Sequence, residues 1–199
     1  MLRIAVTGGI ACGKSRMALY LRSCSISVCD ADDLAHAAFE PGTEVYYRVI
    51  DEFGSDIVSD KGIIDRKKLA DIVFSDSSKL AELNKLVHPV VEHEISKWIN
   101  VREQAGDKIA VVVIPLLFEA GMDGGWDAVV CVGCPPGVQQ KRLMARGLDL
   151  NECRQRVNAQ MSVEDKMERS EFVIWNDGSE ILFEERIDDV FKRIREKTL

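Results

Sequence analysis

Eight consecutive residues, Gly8-Gly9-Ile10-Ala11-Cys12-Gly13-Lys14-Ser15, match the pattern G-x-x-x-x-G-K-[ST] without a gap. The chemistry that such spacing serves is the holding of phosphate. Gly8 and Gly13 let the backbone curl around an anion where a Cβ would obstruct it. The intervening Gly9, Ile10, Ala11 and Cys12 contribute through their backbone, and Arg16 follows directly. Lys14 is placed to reach the β- and γ-phosphates, and the Ser15 hydroxyl to complete the coordination of Mg²⁺. Such a loop works only between a strand and a helix, because the unpaired N–H groups and partial positive charge of a helix N-terminus supply the anion site. The apolar run Leu2, Ile4, Ala5, Val6 predicts the strand, and Met17, Ala18, Leu19 and Leu21 predict a helix packed on a sheet.

Further candidates for chemistry stand at the ends of later strands. A short strand over Ile26-Ser27-Val28-Cys29 leads into Asp30-Ala31-Asp32-Asp33. In open α/β sheets the ligand lies outside the carboxyl ends of the strands, so these acids point toward whatever the glycine loop holds. One of them is expected to cap a helix beginning at Leu34, and another to accept a proton or orient Mg²⁺. The run Ile109 to Ile114 predicts a central parallel strand ended by Pro115, with Glu119 the nearest carboxylate, a capping residue or a catalytic one. Ala128 to Val132 predicts another buried strand, and Pro136 opens a helix on which Arg142 and Arg146, four apart, share a face. That face is either a solvated basic stripe or a guanidinium clamp on a transferring phosphoryl group. Cys131 and Cys134 form a CxxC with no second pair at zinc spacing, and in an extended run they face opposite ways.

The elements that must position these residues follow from the hydrophobic pattern. From Leu34 to about Arg102 the signals are helical, with Asp65 a predicted N-cap and Pro89 in the first turn of a new helix after His88. This insertion of about sixty to seventy residues exceeds an ordinary connection and suits a second substrate's pocket. Gly147 to Lys166 is polar and helix-compatible, as a mobile flap or an ordinary helical hairpin would be; Phe172 to Trp175 is the last strand, Asn176-Asp177-Gly178 a turn, and a helix through Ile194 follows. The fold class expected is α/β. With 199 residues and 46% hydrophobic content, one domain with insertions accommodates the whole pattern.

Composition excludes several functions. A net charge of −7 disfavours nucleic acid as a partner. No apolar run approaches the length of a membrane span, and the opening strand leaves no room for a signal peptide, so a cytoplasmic enzyme with no membrane partner is the expectation, with a monomer the default. The six cysteines read as small buried hydrophobes in a reducing compartment. No N-K-x-D signature marks a guanine-nucleotide switch.

Taken together, Thr7-Gly8-Gly9-Ile10 running into Gly13-Lys14-Ser15, Asp30-Ala31-Asp32, Leu86-Val87-His88-Pro89, Pro115-Leu116-Leu117-Phe118-Glu119, Gln140-Lys141-Arg142-Leu143, Ala159-Gln160 and Asn176-Asp177-Gly178 resemble the dephospho-coenzyme A kinase family along nearly the whole chain. The resemblance implies a P-loop NTPase-type parallel sheet sandwiched by helices, with a core over about 1–32, 105–146 and 170–199, a helical substrate-binding insertion over about 33–104 and a lid over about 147–169. It implies ATP and dephospho-CoA as substrates, Mg²⁺ as cofactor, and phosphorylation of the 3′-hydroxyl of dephospho-CoA to coenzyme A. Carried onto this chain, Lys14 and Ser15 keep the roles argued above, Asp32 becomes the catalytic carboxylate, Arg142 and Arg146 become arginines facing ATP, and Asn176 and Gly178 lie near the adenine. The chain departs from the family pattern at Ala11, Cys12 and Arg16, and at Ser170-Glu171. Alanine at a position needing positive φ is strained, which bears on nucleotide affinity.

Overall fold

The computed structural model describes residues 1–74 and 76–197. It divides into two compact units, one of Met1–Asp30 with the chain from Val101 onward, the other of Ala31–Asn100.

The first unit is built on a sheet whose strands are β1 (Leu2–Gly8), β2 (Ser27–Asp30), β3 (Ile109–Val113), β4 (Ala128–Gly133) and β5 (Phe172–Trp175). All pairings are parallel, in the order β2-β3-β1-β4-β5. A central strand of a parallel sheet is covered on both faces, which is why Ile4, Ala5, Val6 and Thr7 form an unbroken buried run. On one face Ile4, Val6, Val111, Val113, Val130, Val132 and Ile174 meet Met17, Ala18 and Leu21 of α1 (Lys14–Ser23) and Phe183, Ile187, Val190 and Ile194 of α9 (Glu180–Lys197). The expected α/β class, with helices against a parallel sheet, is what this unit adopts. Leu19 does not join the core: it is 59% exposed, because a helix turning 100° per residue aims Ala18 and Leu21 at the sheet and Leu19 away from it.

Between β2 and β3 lie α2 (Ala31–Ala38), α3 (Glu44–Phe53), α4 (Arg66–Phe74) and α5 (Ser77–Gln104). Thr43 caps α3, its hydroxyl accepting from the Tyr46 N–H at 3.1 Å, and Asp65 caps α4 as expected, accepting from the Lys67 and Lys68 N–H groups. Two expectations need correction. α2 begins at Ala31 rather than Leu34, so Asp32 and Asp33 stand in its first turn, where the helix dipole favours acids. Pro89 does not start a helix; α5 runs through it. Proline removes one rung of the ladder, and the apolar residues on either side, Val87, Val91 and Ile95, remain buried along a single helix.

After β4 come α6 (Pro136–Met144), α7 (Leu150–Asn158) and α8 (Val163–Glu168). Proline opens α6 at a position whose N–H would be unpaired in any case. Asp149 and Glu152 close a reciprocal capping box at the start of α7. Among the described residues no helix is long and apolar enough to cross a membrane.

Truncation separates the two leucine-type positions on β1 and α1. Ile4→Ala removes a side chain of 0% exposure from the central strand and is expected to cost about 3 kcal/mol, whereas Leu19→Ala should change stability by less than about 0.5 kcal/mol in urea unfolding.

Candidate active site

The glycine loop leaves β1 at Gly8 and delivers the chain to α1 at Lys14. Gly8 has φ 140°, and a Cβ there would sit 2.1 Å from the Val132 carbonyl oxygen; Gly13 has φ 120°, and a Cβ there would meet Asn176 Nδ2 at 2.3 Å. Neither position admits another residue. Among the described residues no side chain caps α1, and its first turn carries no acid, so no cap occupies the orphan donors of that helix. Ser15 is exposed in that first turn. The Lys14 ammonium donates to the Gly8 and Gly9 carbonyls at 2.8 and 2.9 Å, which folds the side chain back over the loop.

Four side chains from distant parts of the sequence grip the loop. Gln139 Nε2 donates to the Ile10 carbonyl at 2.7 Å, Arg142 Nη1 to the Ala11 and Cys12 carbonyls at 3.1 and 3.2 Å, and Asn176 Nδ2 to the Cys12 carbonyl at 2.7 Å. Gln160 Oε1 accepts from the Ile10 N–H at 3.2 Å. A second Arg142 nitrogen donates to Asn176 Oδ1 at 3.2 Å, joining two of the braces. In a planar trans peptide the N–H points opposite the C=O. Tying down the carbonyls of Ile10 and Cys12 therefore turns the N–H groups of Ala11 and Gly13 the other way.

Ala11 has φ 58°, the left-handed conformation that glycine adopts freely and alanine at a cost of about 1 kcal/mol. Its methyl is buried with Leu143 and Cys153, an apolar contact that offsets part of the strain.

The other predicted residues divide. Arg142 reaches the loop; Arg146 lies beyond the end of α6 and is exposed, so the two do not form one helical stripe. Arg16 turns to α9, pairing with Glu184 at 2.7 Å and also with Glu180. Asn176 is buried beneath Cys12 and Gly13, while Gly178 is exposed and a Cβ on it would meet only the flexible Leu182 side chain. Arg186 donates to Asp177 at 2.7 Å and holds that carboxyl below its ordinary range, fixing the turn after β5. Asp30 ends β2, and Asp32, in the other unit, is exposed. The departures at Ser170 and Glu171 carry structure: Ser170 Oγ donates to the Lys166 carbonyl at 2.7 Å, and Glu171 accepts from the Val129 N–H at 2.8 Å.

Sequence reasoning missed the bracing role of Gln139 and Asn176, and it missed Lys166 altogether. Lys166 has 0% exposure, donates to the Pro115 carbonyl at 2.6 Å and pairs with Glu119 at 2.8 Å; Glu119 also accepts from the Met161 N–H at 2.9 Å. Glu119 is thus the partner that makes a buried cation tolerable, and it fastens residues 161–166 to the end of β3. Only its position four residues past Pro115 signalled a role. Glu119→Ala strands that cation and is expected to destabilise the chain by about 3 kcal/mol, more than Lys166→Met, which keeps the volume without the charge; in denaturant unfolding the double variant should lose less than the sum of the two, and strictly additive losses would show that the pair is not coupled.

With this geometry in view, comparisons with known proteins agree on one assignment. The family model for dephospho-CoA kinase matches residues 2–181. Among curated proteins, the dephospho-CoA kinase of Carboxydothermus hydrogenoformans is 43% identical over 177 residues, covering 88% of this chain and 86% of that protein. That of Bacillus licheniformis is 40% identical over 179 residues, covering 89% of each. A crystal structure from Thermus thermophilus superposes with a TM-score of 0.85 at 33% identity, covering 100% of this chain and 98% of the other. The dephospho-CoA kinase from Campylobacter jejuni gives 0.71 at 26% identity, over 99% and 98%. The family match spans the braced loop and the sheet that carries it, and the chain belongs to the dephospho-CoA kinase family.

Proposed function

We propose that the loop Gly8–Ser15 holds the triphosphate tail of ATP while the chain directs its γ-phosphoryl group onto the 3′-hydroxyl of dephospho-CoA. As a member of its family the chain is an ATP-dependent kinase that converts dephospho-CoA to coenzyme A, and its products are coenzyme A and ADP. The observation that carries the assignment of roles is the braced loop: carbonyls captured on one side by Gln139, Arg142 and Asn176, donors turned to the other, and Lys14 at the helix mouth.

The residues present fit a nucleotide with its magnesium ion. Among the described residues no group of three His, Cys, Asp or Glu side chains is arranged to hold a metal, and Ser15 offers a single exposed hydroxyl. Such a donor set suits an ion carried largely by phosphate oxygens and water. When bound, Mg²⁺ neutralises charge on the phosphate oxygens as the phosphoryl group moves. The chain's own residues do the rest. Backbone N–H groups and Lys14 fix the phosphates, which removes the entropy of alignment from the barrier. Arg142 brings a guanidinium to the loop from the carbonyl side, where its charge favours the accumulating negative charge opposite. Arg16, next to the loop in sequence, and Arg146, just past α6, are assigned to the nucleotide, with Asn176 and Gly178 bordering the adenine. Asp32 takes the proton of the 3′-hydroxyl onto a carboxylate oxygen as the ribose 3′-oxygen bonds to the γ-phosphorus and the bond from that phosphorus to ADP breaks.

Residues 33–104 are assigned to the acceptor, whose size requires a pocket of its own. Residues 147–169 are assigned to a lid that excludes water from the γ-phosphate. Gln160 and Met161 already tie that segment to Ile10 and Glu119. We read the enzyme as a cytoplasmic one acting on small molecules.

ADP release should depend on added dephospho-CoA and on Mg²⁺, with the new phosphate on the 3′-oxygen by phosphorus NMR; ADP formed equally without acceptor would overturn the reading. Asp32→Asn should lower kcat by about a thousandfold with MgATP affinity retained, since the base is lost and the cradle is not. Lys14→Ala should weaken MgATP binding and lower kcat together. Unchanged turnover in either variant removes that residue from the mechanism.

A further inference from the structure

Two thiols that the kinase reaction does not use meet beneath the glycine loop. Cys12, in the loop, has 0% exposure, and Cys134, one residue past β4, has 2%. Their sulfurs are 3.2 Å apart, with the Cys134 thiol donating to Cys12 Sγ. All six cysteines are free thiols. A disulfide needs sulfurs about 2.05 Å apart, so closing this pair asks for a movement of about 1 Å, within reach of side-chain rotation and a small loop shift. No other cysteine fits the site: Cys131 lies on the opposite face of β4, and Cys153 packs instead against Ala11 and Leu143.

We propose that Cys12 and Cys134 form a reversible disulfide when the protein meets a hydroperoxide, and that this bond shuts down nucleotide binding by pulling the loop out of its braced shape. The step balances. The Cys12 thiolate attacks one peroxide oxygen; the S–O bond forms, the O–O bond breaks, and the departing oxygen leaves protonated as water or alcohol. Cys134 sulfur then attacks the Cys12 sulfenic sulfur; the S–S bond forms, the S–O bond breaks, and the hydroxide leaves as water with the Cys134 proton. Two electrons pass from the thiols to the peroxide, and a dithiol returns them by exchange.

The electrostatics favour that division of roles. The hydrogen bond from Cys134 lowers the Cys12 thiol, burial opposes it, and the charges of Lys14 and then Arg142 assist, leaving it at about 7. Cys134 moves in the opposite direction, raised by the same hydrogen bond and by burial, so it waits as the resolving thiol. Burial takes Cys131 up to about 12 and keeps it out of the exchange. Hydrogen peroxide is close to water in size and needs only a brief opening of the loop.

The consequence for binding follows from the braces. The Cys12 carbonyl is held by Asn176 and Arg142, so a sulfur drawn toward β4 strains the same residue whose carbonyl orients the Gly13 N–H. The functional effect rests on the reading of Gly8–Ser15 as the ATP cradle; the disulfide itself does not.

The full-length reduced chain is treated with stoichiometric hydrogen peroxide, digested without reduction and mapped by mass, with MgATP binding and turnover followed in parallel. We expect the Cys12 and Cys134 peptides joined and lighter by two hydrogens, MgATP binding lost, turnover reduced by about a hundredfold as for a 1 Å misplacement, and recovery on adding dithiothreitol. In Cys134→Ser the sulfenic acid should persist at Cys12 and be trapped by dimedone. Both thiols remaining free, a bridge to a different cysteine, or a Cys12–Cys134 bridge that leaves MgATP binding unchanged would each overturn the proposal. A reduced chain that fails to bind MgATP strikes instead at the assignment of the loop, and the mass map still decides whether the bridge forms.

Discussion

The structure depends on a division of labour within single peptide planes. A loop of glycines has no intrinsic reason to hold its N–H groups toward an anion, because those residues lose more conformational freedom on ordering than any others. The chain supplies the reason from the carbonyl side. Gln139, Arg142 and Asn176 take the Ile10, Ala11 and Cys12 carbonyls, and planarity then dictates where the opposing N–H groups point. The loop is ordered by buried and half-buried side chains from distant parts of the chain, so the cost of ordering it falls on folding.

The same logic explains the tolerance of Ala11 and the burial of Lys166. Ala11 sits in a left-handed conformation between braced carbonyls, and its methyl recovers part of the strain against Leu143 and Cys153. Lys166 is carried into the interior with Glu119 as its counter-charge and the Pro115 carbonyl as a second acceptor. Pro115 also accepts from Thr7 Oγ1 at 3.3 Å, so one carbonyl past β3 joins β1 to α8. These buried polar links hold the loop, the sheet and the α8 helix in one register.

What the sequence made legible was whatever is local. The apolar runs at Ile109–Val113 and Ala128–Gly133 announced their strands, since a parallel sheet buries both faces, and the run Phe172–Trp175 announced the edge strand although Val173 is exposed there. The loop itself was readable from eight residues. The braces were not, because Gln139, Gln160 and Asn176 are ordinary polar residues until the fold brings them more than a hundred positions back to the loop. Lys166 lies in a polar stretch whose local pattern describes a solvated helix, and only the long-range pairing with Glu119 makes it interior. Pro89 misled for the opposite reason: a local rule for helix starts yielded to burial along the continuous α5. Leu19 misled because an apolar residue adjacent to a core position still faces 100° away from it.

The placement of Asn176 has a consequence for how the molecule comes into being. The glycine loop is synthesised before any of the side chains that brace it, yet β1 must wait for both of its neighbours, β3 and β4, before it is flanked. The last brace arrives only when residue 176 emerges, and the helix that buries Phe183 and Ile187 beside it later still. A nascent chain therefore carries residues 8–15 without their last brace until residue 176 has emerged, so the shaping of this loop coincides with the addition of β5 to the sheet.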